Sequence, residues 1–353
     1  MAFTVAELDN IANSALDYFL NKGDYWNQAI QQKPFVAAIE RNAKTFPGGK
    51  GNISVAVKGA YGAGGVNDQL QGYTHDDTVT FYNPANMRRA AYPWREMHLG
   101  ISVTHTELKM DGLSVTDTNG GGVSSHTNRE MTVLVNLWQT KLEDMAEQYA
   151  VSLNRLFWGD GTSDPKAIAG VRALVTTTPT TGTVGGIDRA TSTWWRNRTA
   201  IGGSAIVSNP ANGGALLQFL QAEQRQLTRY GGKPTVAFAG SDFIGALETE
   251  TRANGLYTMS GFGGTQNTAA MGGFVLPGGA KVQYDPTLDD MGQAKRLYWL
   301  DLDSIFLMKM EDEWKRVHTP ARPENKFVLY RSITCTGQLV ARQLNSSGIY
   351  EIA

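Results

Sequence analysis

The chain has 353 residues, and its 32 Lys plus Arg nearly cancel 33 Asp plus Glu, leaving a net charge of -1 with 18% charged residues. That balance speaks against a dedicated nucleic-acid binder, which carries a basic excess, but not against a protein that merely faces nucleic acid. The length suffices for one large core or two to three smaller ones, and no apolar run is long enough to span a membrane.

The N-terminus, Met-Ala-Phe-Thr-Val-Ala-Glu, lacks the basic start and apolar core of a signal peptide, so a cytosolic product that is not trimmed at its start is expected. Thr4-Val5-Ala6-Glu7 has the form of a capping box, opening a helix with Leu8, Ile11, Ala12, Ala15, Leu16 and Phe19 on one side. That stripe needs a surface to lie on, in the same chain or a neighbour. Residues 21–50 mix Trp26, Ile30, Phe35, Val36 and Ile39 with polar residues and close in a Phe46-Pro47-Gly48-Gly49 turn. From Gly51 the period becomes two, with Ile53, Val55 and Val57 alternating before a glycine-rich tip at 59–65. A return limb follows from Val79 to Val103. The pattern predicts one long two-stranded arm over 51–104, with little core of its own and a need for something outside to pack on. Residues 111–125 form a loop.

Thr127-Asn128-Arg129-Glu130 is a second capping box. Met131, Leu134, Val135, Trp138, Leu142, Met145, Ala146, Tyr149, Leu153, Leu156 and Phe157 then keep one face apolar in steps of three and four, with Gly159 as the expected stop. The spacing predicts a helix over 127–158, about 45 Å long at 1.5 Å per residue. A rod of that length is a spine for the fold, and its apolar face is expected on strands of the same chain.

Beyond it lie Ile168-Ala169-Gly170-Val171, then Thr183-Val184-Gly185-Gly186-Ile187-Asp188-Arg189 and Trp194-Trp195-Arg196-Asn197. Helices are predicted over 213–230 and from Ser241, with strands at 234–239 and 280–286 and a glycine-rich loop at 255–273. This β-α-β run looks like a small α/β unit of its own. The tail reads as strands at 297–300, 305–308, 327–330 and 333–340.

Taken in this order, the chain resembles the major capsid proteins of tailed bacteriophages, with the Hong Kong 97-type fold. The Gly185-Gly186-Ile187-Asp188-Arg189 and Trp194-Trp195-Arg196 stretch just past the spine is similar to siphophage capsid subunits, and the tail from Tyr298 to Arg342 fits the family's final strands. The resemblance implies an α+β fold with an N-terminal arm (1–50), an extended loop (51–104), a peripheral domain (105–204 and 291–353, including the spine at 127–158) and an axial domain (205–290). It implies a shell of hexamers and pentamers that encloses double-stranded DNA without sequence-specific binding, made in the bacterial host cytoplasm and ending in the virion capsid. Some family members carry a cleaved helical scaffolding segment. Its absence here implies a separate scaffolding protein, alongside a portal and, in some shells, a decoration protein. Some relatives cross-link a loop Lys to a distant Asn through a catalytic Glu; Lys58 and Asn345 are the nearest counterparts, and ordinary solvated residues explain both better.

Chemistry-bearing motifs are otherwise missing, and no catalytic, cofactor-binding or metal-ligating residue is assigned. The Gly59, Gly62, Gly64, Gly65 cluster lacks G-x-G-x-x-G spacing and the Walker Lys-Ser/Thr, and there is neither G-x-S-x-G nor H-E-x-x-H. His75, His98, His105, His126 and His318 are scattered, and His75-Asp76-Asp77 reads as a solvated acidic turn sooner than a cation site. The lone cysteine, Cys335, permits no intrachain disulfide and alternates as a small residue of a half-buried strand. Trp194-Trp195 reads as buried aromatic packing or a subunit contact ahead of a stacking platform. The sequons at Asn52, Asn197 and Asn345 carry no meaning in bacterial cytosol. A nanocompartment shell of the encapsulin-like kind and an unrecognised cytosolic enzyme are the alternatives to a capsid subunit.

Overall fold

The computed structural model describes residues 3–4, 33–59, 72–78, 87–110, 115–116, 128–208, 215–253, 275–318 and 328–353. The helix expected after Thr4, the cap at Thr127, the glycine-rich tip beyond Gly59, most of the 111–125 loop, the 255–273 loop and His126 lie outside the described residues, as do the side chains of 128–140 and 143.

From the N-terminus the elements are β1 (Phe3–Thr4), α1 (Pro34–Arg41), β2 (Lys44–Phe46), β3 (Asn52–Lys58), β4 (Met87–Pro93), β5 (Arg95–Thr104), α2 (His105–Met110), β6 (Val115–Thr116) and α3 (Asn128–Trp158). There follow α4 (Val171–Leu174), β7 (Thr183–Val184), β8 (Ile187–Asp188), β9 (Arg198–Ala200), α5 (Ala215–Thr228), β10 (Val236–Ala239), α6 (Ser241–Ala253), β11 (Lys281–Tyr284), α7 (Pro286–Asp290), β12 (Arg296–Leu300), β13 (Ile305–His318), β14 (Val328–Ala341) and β15 (Gly348–Glu351). The mixed α+β arrangement is the one expected.

The spine is α3. Its predicted periodicity puts Leu142, Met145, Tyr149, Leu153 and Phe157 in one buried cluster with Ile333, Cys335 and Leu339 of β14. Each such side chain contributes roughly 1.5–3 kcal/mol by leaving water. The strands beneath form a four-stranded sheet in the order β2-β13-β14-β5, parallel between β2 and β13 and antiparallel elsewhere. The helix ends at Trp158, but Gly159 is not its left-handed cap; Gly161, with φ 78, takes that conformation two residues on.

A second, five-stranded sheet runs β11-β10-β12-β15-β9. Period-two alternation splits its residues between two cores. Ala237, Ala239, Leu297, Trp299 and Tyr350 face α5 and α6, whereas Phe238, Tyr298, Leu300 and Ile349 join the spine's cluster. The α/β unit expected at 205–286, within the axial domain of 205–290, is therefore not self-contained. It takes Arg198–Ala200, Arg296–Leu300 and Gly348–Glu351 from outside that span, because strand pairing reaches across sequence distances that local patterns do not encode.

Two more expectations change. The 51–104 stretch is not one arm: β3 pairs with β4 in a two-stranded sheet, while β5 pairs along its length with β14. The base of the hairpin also has a core in its own chain, since Ile53, Val57, Ala90 and Tyr92 are buried in the spine's cluster. The three tail strands expected at 305–308, 327–330 and 333–340 are instead two 14-residue strands, β13 and β14. The half-exposed, charge-bearing residues 309–318 hid the continuation of β13 from a hydrophobic count.

Candidate functional site

The stretch carrying Gly185-Gly186 and Trp194-Trp195 folds as a clasp on the hairpin base. Gly185 (φ 60) and Gly186 (φ 77) make the left-handed turn between β7 and β8 that two-residue hairpins require. A Cβ on Gly185 would stand 2.9 Å from both Ala90 and the Tyr92 ring, so the turn sits directly on β4. Ala91 N donates to the Gly185 carbonyl at 2.9 Å, and the Tyr92 hydroxyl donates to the Ala341 carbonyl at 3.1 Å. Burial pushes the Tyr92 phenol far above its usual range.

Behind the turn, Trp195 is buried and its Nε1 donates to the Val184 carbonyl at 3.0 Å. Arg189 is also buried, and its Nη1 donates to Thr176 Oγ1 (2.7 Å) and Asn197 Oδ1 (3.3 Å) with no carboxylate among those partners. Desolvation lowers its pKa. Asn197 Nδ2 donates to the Thr176 carbonyl at 2.9 Å. Its sequon is thus a buried structural amide. Arg196 closes the clasp, donating from Nε to the Arg189 carbonyl (2.7 Å) and from Nη2 to the Ala190 carbonyl (2.8 Å).

In front of the clasp lies a cleft of about 1070 Å³, walled by the end of β3, residues 193–198, the C-terminal turn of α5 and residues 342–345. Lys58, Arg196, Arg198, Arg229 and Arg342 line it, and among the described residues no Asp, Glu, His or Cys does. Arg198 is neutralised: Nε and Nη2 donate to the two oxygens of Glu223 at 3.0 and 2.7 Å. That hydrogen-bonded pair raises the Arg198 pKa. Arg196 spends its donors on carbonyls, which leave its charge uncompensated, and Arg229 lies over the Tyr230 ring at 5.5 Å. Trp194 and the exposed Tyr230 supply aromatic walls. The cleft can therefore attract an anionic group, but among the described residues it holds no acid/base or nucleophile pair.

Lys58 and Asn345, far apart in sequence, both line this cleft. Asn345 Oδ1 accepts from Gln343 Nε2 at 2.7 Å. The His75-Asp76-Asp77 turn is exposed, and Asp77 accepts from Thr74 N and Oγ1, both at 2.8 Å, which lowers its pKa. His98 is exposed on β5, His105 is buried in α2, and His318 meets Thr334 Oγ1 at 2.7 Å. Among the described residues no group of three His, Cys, Asp or Glu could hold a metal ion. Cys335 is buried under the spine, with its Sγ 3.2 Å from the Tyr149 hydroxyl.

Sequence reasoning missed three polar joints. Thr104-His105-Thr106-Glu107 is a reciprocal capping box: Thr104 N donates to Glu107 Oε2 (2.9 Å) and Glu107 N donates to Thr104 Oγ1 (3.3 Å). The S/T-x-x-E signal was legible there. Asp285-Pro286 was equally readable as a cap followed by Pro at the first helical position. No local pattern betrays the third, where the buried Glu250 of α6 accepts from Leu216 N at 3.0 Å and caps α5 from another helix.

No family model matches the sequence, and no curated protein matches it. Solved structures do match. A chain of the cyanophage A-1(L) capsid asymmetric unit is 16% identical, aligned over 90% of this chain and 92% of that one, with a TM-score of 0.60. A chain of the native GTA particle capsid (12% identical, 90% of each chain, TM-score 0.54) and one of the capsid of Myoviridae phage XM1 (11% identical, 89% and 90%, TM-score 0.51) follow. At these identities the likeness establishes the fold: the spine and sheets are arranged as in Hong Kong 97-type capsid subunits.

Proposed function

We propose that the chain is the major capsid protein of a tailed double-stranded DNA bacteriophage, the repeating subunit of an icosahedral shell. The observation that supports this is the fold it shares, over 90% of its length, with a chain of a solved phage capsid. The basic cleft, able to hold an anion and lined among the described residues by no Asp, Glu, His or Cys, agrees with a binding role over a catalytic one. On this reading the subunit is made in the host cytoplasm and assembles into hexamers and pentamers. A separate scaffolding protein, a portal and in some shells a decoration protein are its partners, and the enclosed DNA is held without sequence readout.

The test is to image the purified full chain by negative stain and to size it by light scattering under assembly-promoting conditions. Closed particles, or rings of five and six, are the expected result. A monomer at every concentration and condition would sink the shell reading. Nuclease-protected double-stranded DNA inside particles from infected cells separates a phage head from a nanocompartment, which would hold a protein cargo.

A further inference from the structure

The basic cleft has a counterpart elsewhere on the same chain. In the β13–β14 ladder Lys309 pairs with Gly337 and Trp314 with Cys335, so Met310–Glu313 stand opposite Thr336 alone. The register shifts by one further residue, Lys315, between Trp314 and Arg316. Two non-glycine residues here, Asp312 and Lys315, both have φ 58. Left-handed backbone at such residues persists only where the surroundings impose it, and bulges of this kind re-aim side chains. Trp314 packs on Gly337, where a Cβ would come within 3.2 Å of its ring, and Lys315 Nζ is 3.3 Å from Glu40. The bulge is thereby held while Glu311 and Asp312 stand exposed, with no ion-pair partner among the described residues. Glu313 is taken by Arg316.

We propose that the Glu311–Asp312 bulge of one copy seats in the basic cleft of a second copy, against Arg196, Arg229 and Arg342. This rests on the shell-subunit reading and names one contact within it. Within a single chain the two features are separated along β14 by the five steps from Thr336 to Ala341, about 17 Å of strand. Complementary patches at different places on one molecule make a head-to-tail contact, the kind that closes rings. Trp, Tyr and Arg are the residues that dominate interface energetics, and Trp194, Tyr230 and these arginines make the socket. A bulge pinned between paired strands loses little freedom on docking. A bounded cleft suits this occupant better than a nucleic-acid backbone, which a continuous basic stripe would track.

The experiment uses the full chain and the fraction of subunits in closed particles, by sedimentation. Arg229→Glu with Arg342→Glu reverses the socket; both side chains are exposed, so the subunit should melt as the parent does. Glu311→Arg with Asp312→Asn reverses the knob, Asn tolerating the left-handed backbone. Either pair should lower the assembled fraction about tenfold, and all four changes in one chain should restore it. Assembly should also weaken with salt. Normal assembly of the socket variant, or no rescue by the fourfold variant, overturns the proposal. So does a socket variant that assembles but loses co-purified nucleic acid. A matching loss in Asp76→Asn with Asp77→Asn, with the knob variant normal, would give the cleft to that turn instead. If the parent itself forms no particle, the shell reading fails first, and visibly so.

Discussion

The indole Nε1 of Trp158, the last residue of the spine, donates to Asp285 Oδ2 at 2.9 Å. Asp285 is fully buried, caps α7 by accepting from Thr287 N at 3.0 Å, and accepts from Asn154 Nδ2 of the spine at 3.3 Å. Phe35 stacks on the same indole at 4.1 Å, and Tyr298 of the second sheet tilts against it at 4.9 Å. One carboxylate thus ties the end of the spine to the end of a strand in the other sheet.

Asp285→Ala removes a helix cap and takes away the acceptor of the buried Trp158 indole N–H, while Asn154 Nδ2 keeps Thr287 Oγ1 at 2.7 Å. The expected loss is about 2–4 kcal/mol, from roughly 1 for the cap and 1–3 for the one orphaned donor. Asp285→Asn keeps an acceptor and should lose less. Thermal melting of the unassembled subunit by circular dichroism checks both. Equal melting of Asp285→Ala and the parent would show that this joint does not hold the sheets together.

Leu142 is buried in the spine's core, whereas Glu147 is exposed on the same helix. Leu142→Ala should cost about 2–5 kcal/mol and reduce soluble yield. Glu147→Ala should stay within about 0.5 kcal/mol of the parent. Were the face meant for a partner, Leu142→Ala would melt normally and fail only in assembly.

Gly185 and Gly186 both need left-handed backbone, but only Gly185 also faces a wall of Ala90 and Tyr92; nothing lies within 4 Å of a Cβ on Gly186. Gly186→Ala should therefore cost about 1–2 kcal/mol for the backbone alone. Gly185→Ala adds overlap, about 1–3 kcal/mol more, and should loosen the hairpin base. Faster proteolysis within 52–93 in the Gly185 variant is the second readout. An inverted order of stability would refute the packing described.

Stability should form a plateau between an acid and an alkaline limb. Glu107 is held below its ordinary 4.5 chiefly by the Thr104 amide and then by Lys141, and Asp160 below 3.8 by Thr162. Their contribution is complete above those ordinary values and is lost as pH falls through the lowered ones. Burial pushes Cys335 above its ordinary 9.0 and Tyr149 well above 10.0. That contribution is complete below pH 9 and is lost as pH rises, because the unfolded chain releases its protons first. Denaturant midpoints from pH 3 to 11 test both limbs, and Cys335→Ala should delay the onset of the alkaline one.

The sequence by itself determined the elements whose cause is local. The 31-residue spine follows from an unbroken three-and-four apolar spacing, and α5, α6, β10 and β12 from period and turn residues within a few positions. Burial of Trp195 and Cys335 followed equally from their neighbours. The tertiary structure alone decided what pairs with what. It sent β5 to β14 across more than 200 residues, gave β15 a place in the second sheet, and made one sheet serve two cores. It also gathered Lys58, Arg196, Arg229 and Arg342 around one cleft. Strand partners and charge clusters of this kind are set by long-range burial and Coulomb interactions, which act through space and leave no period along the chain.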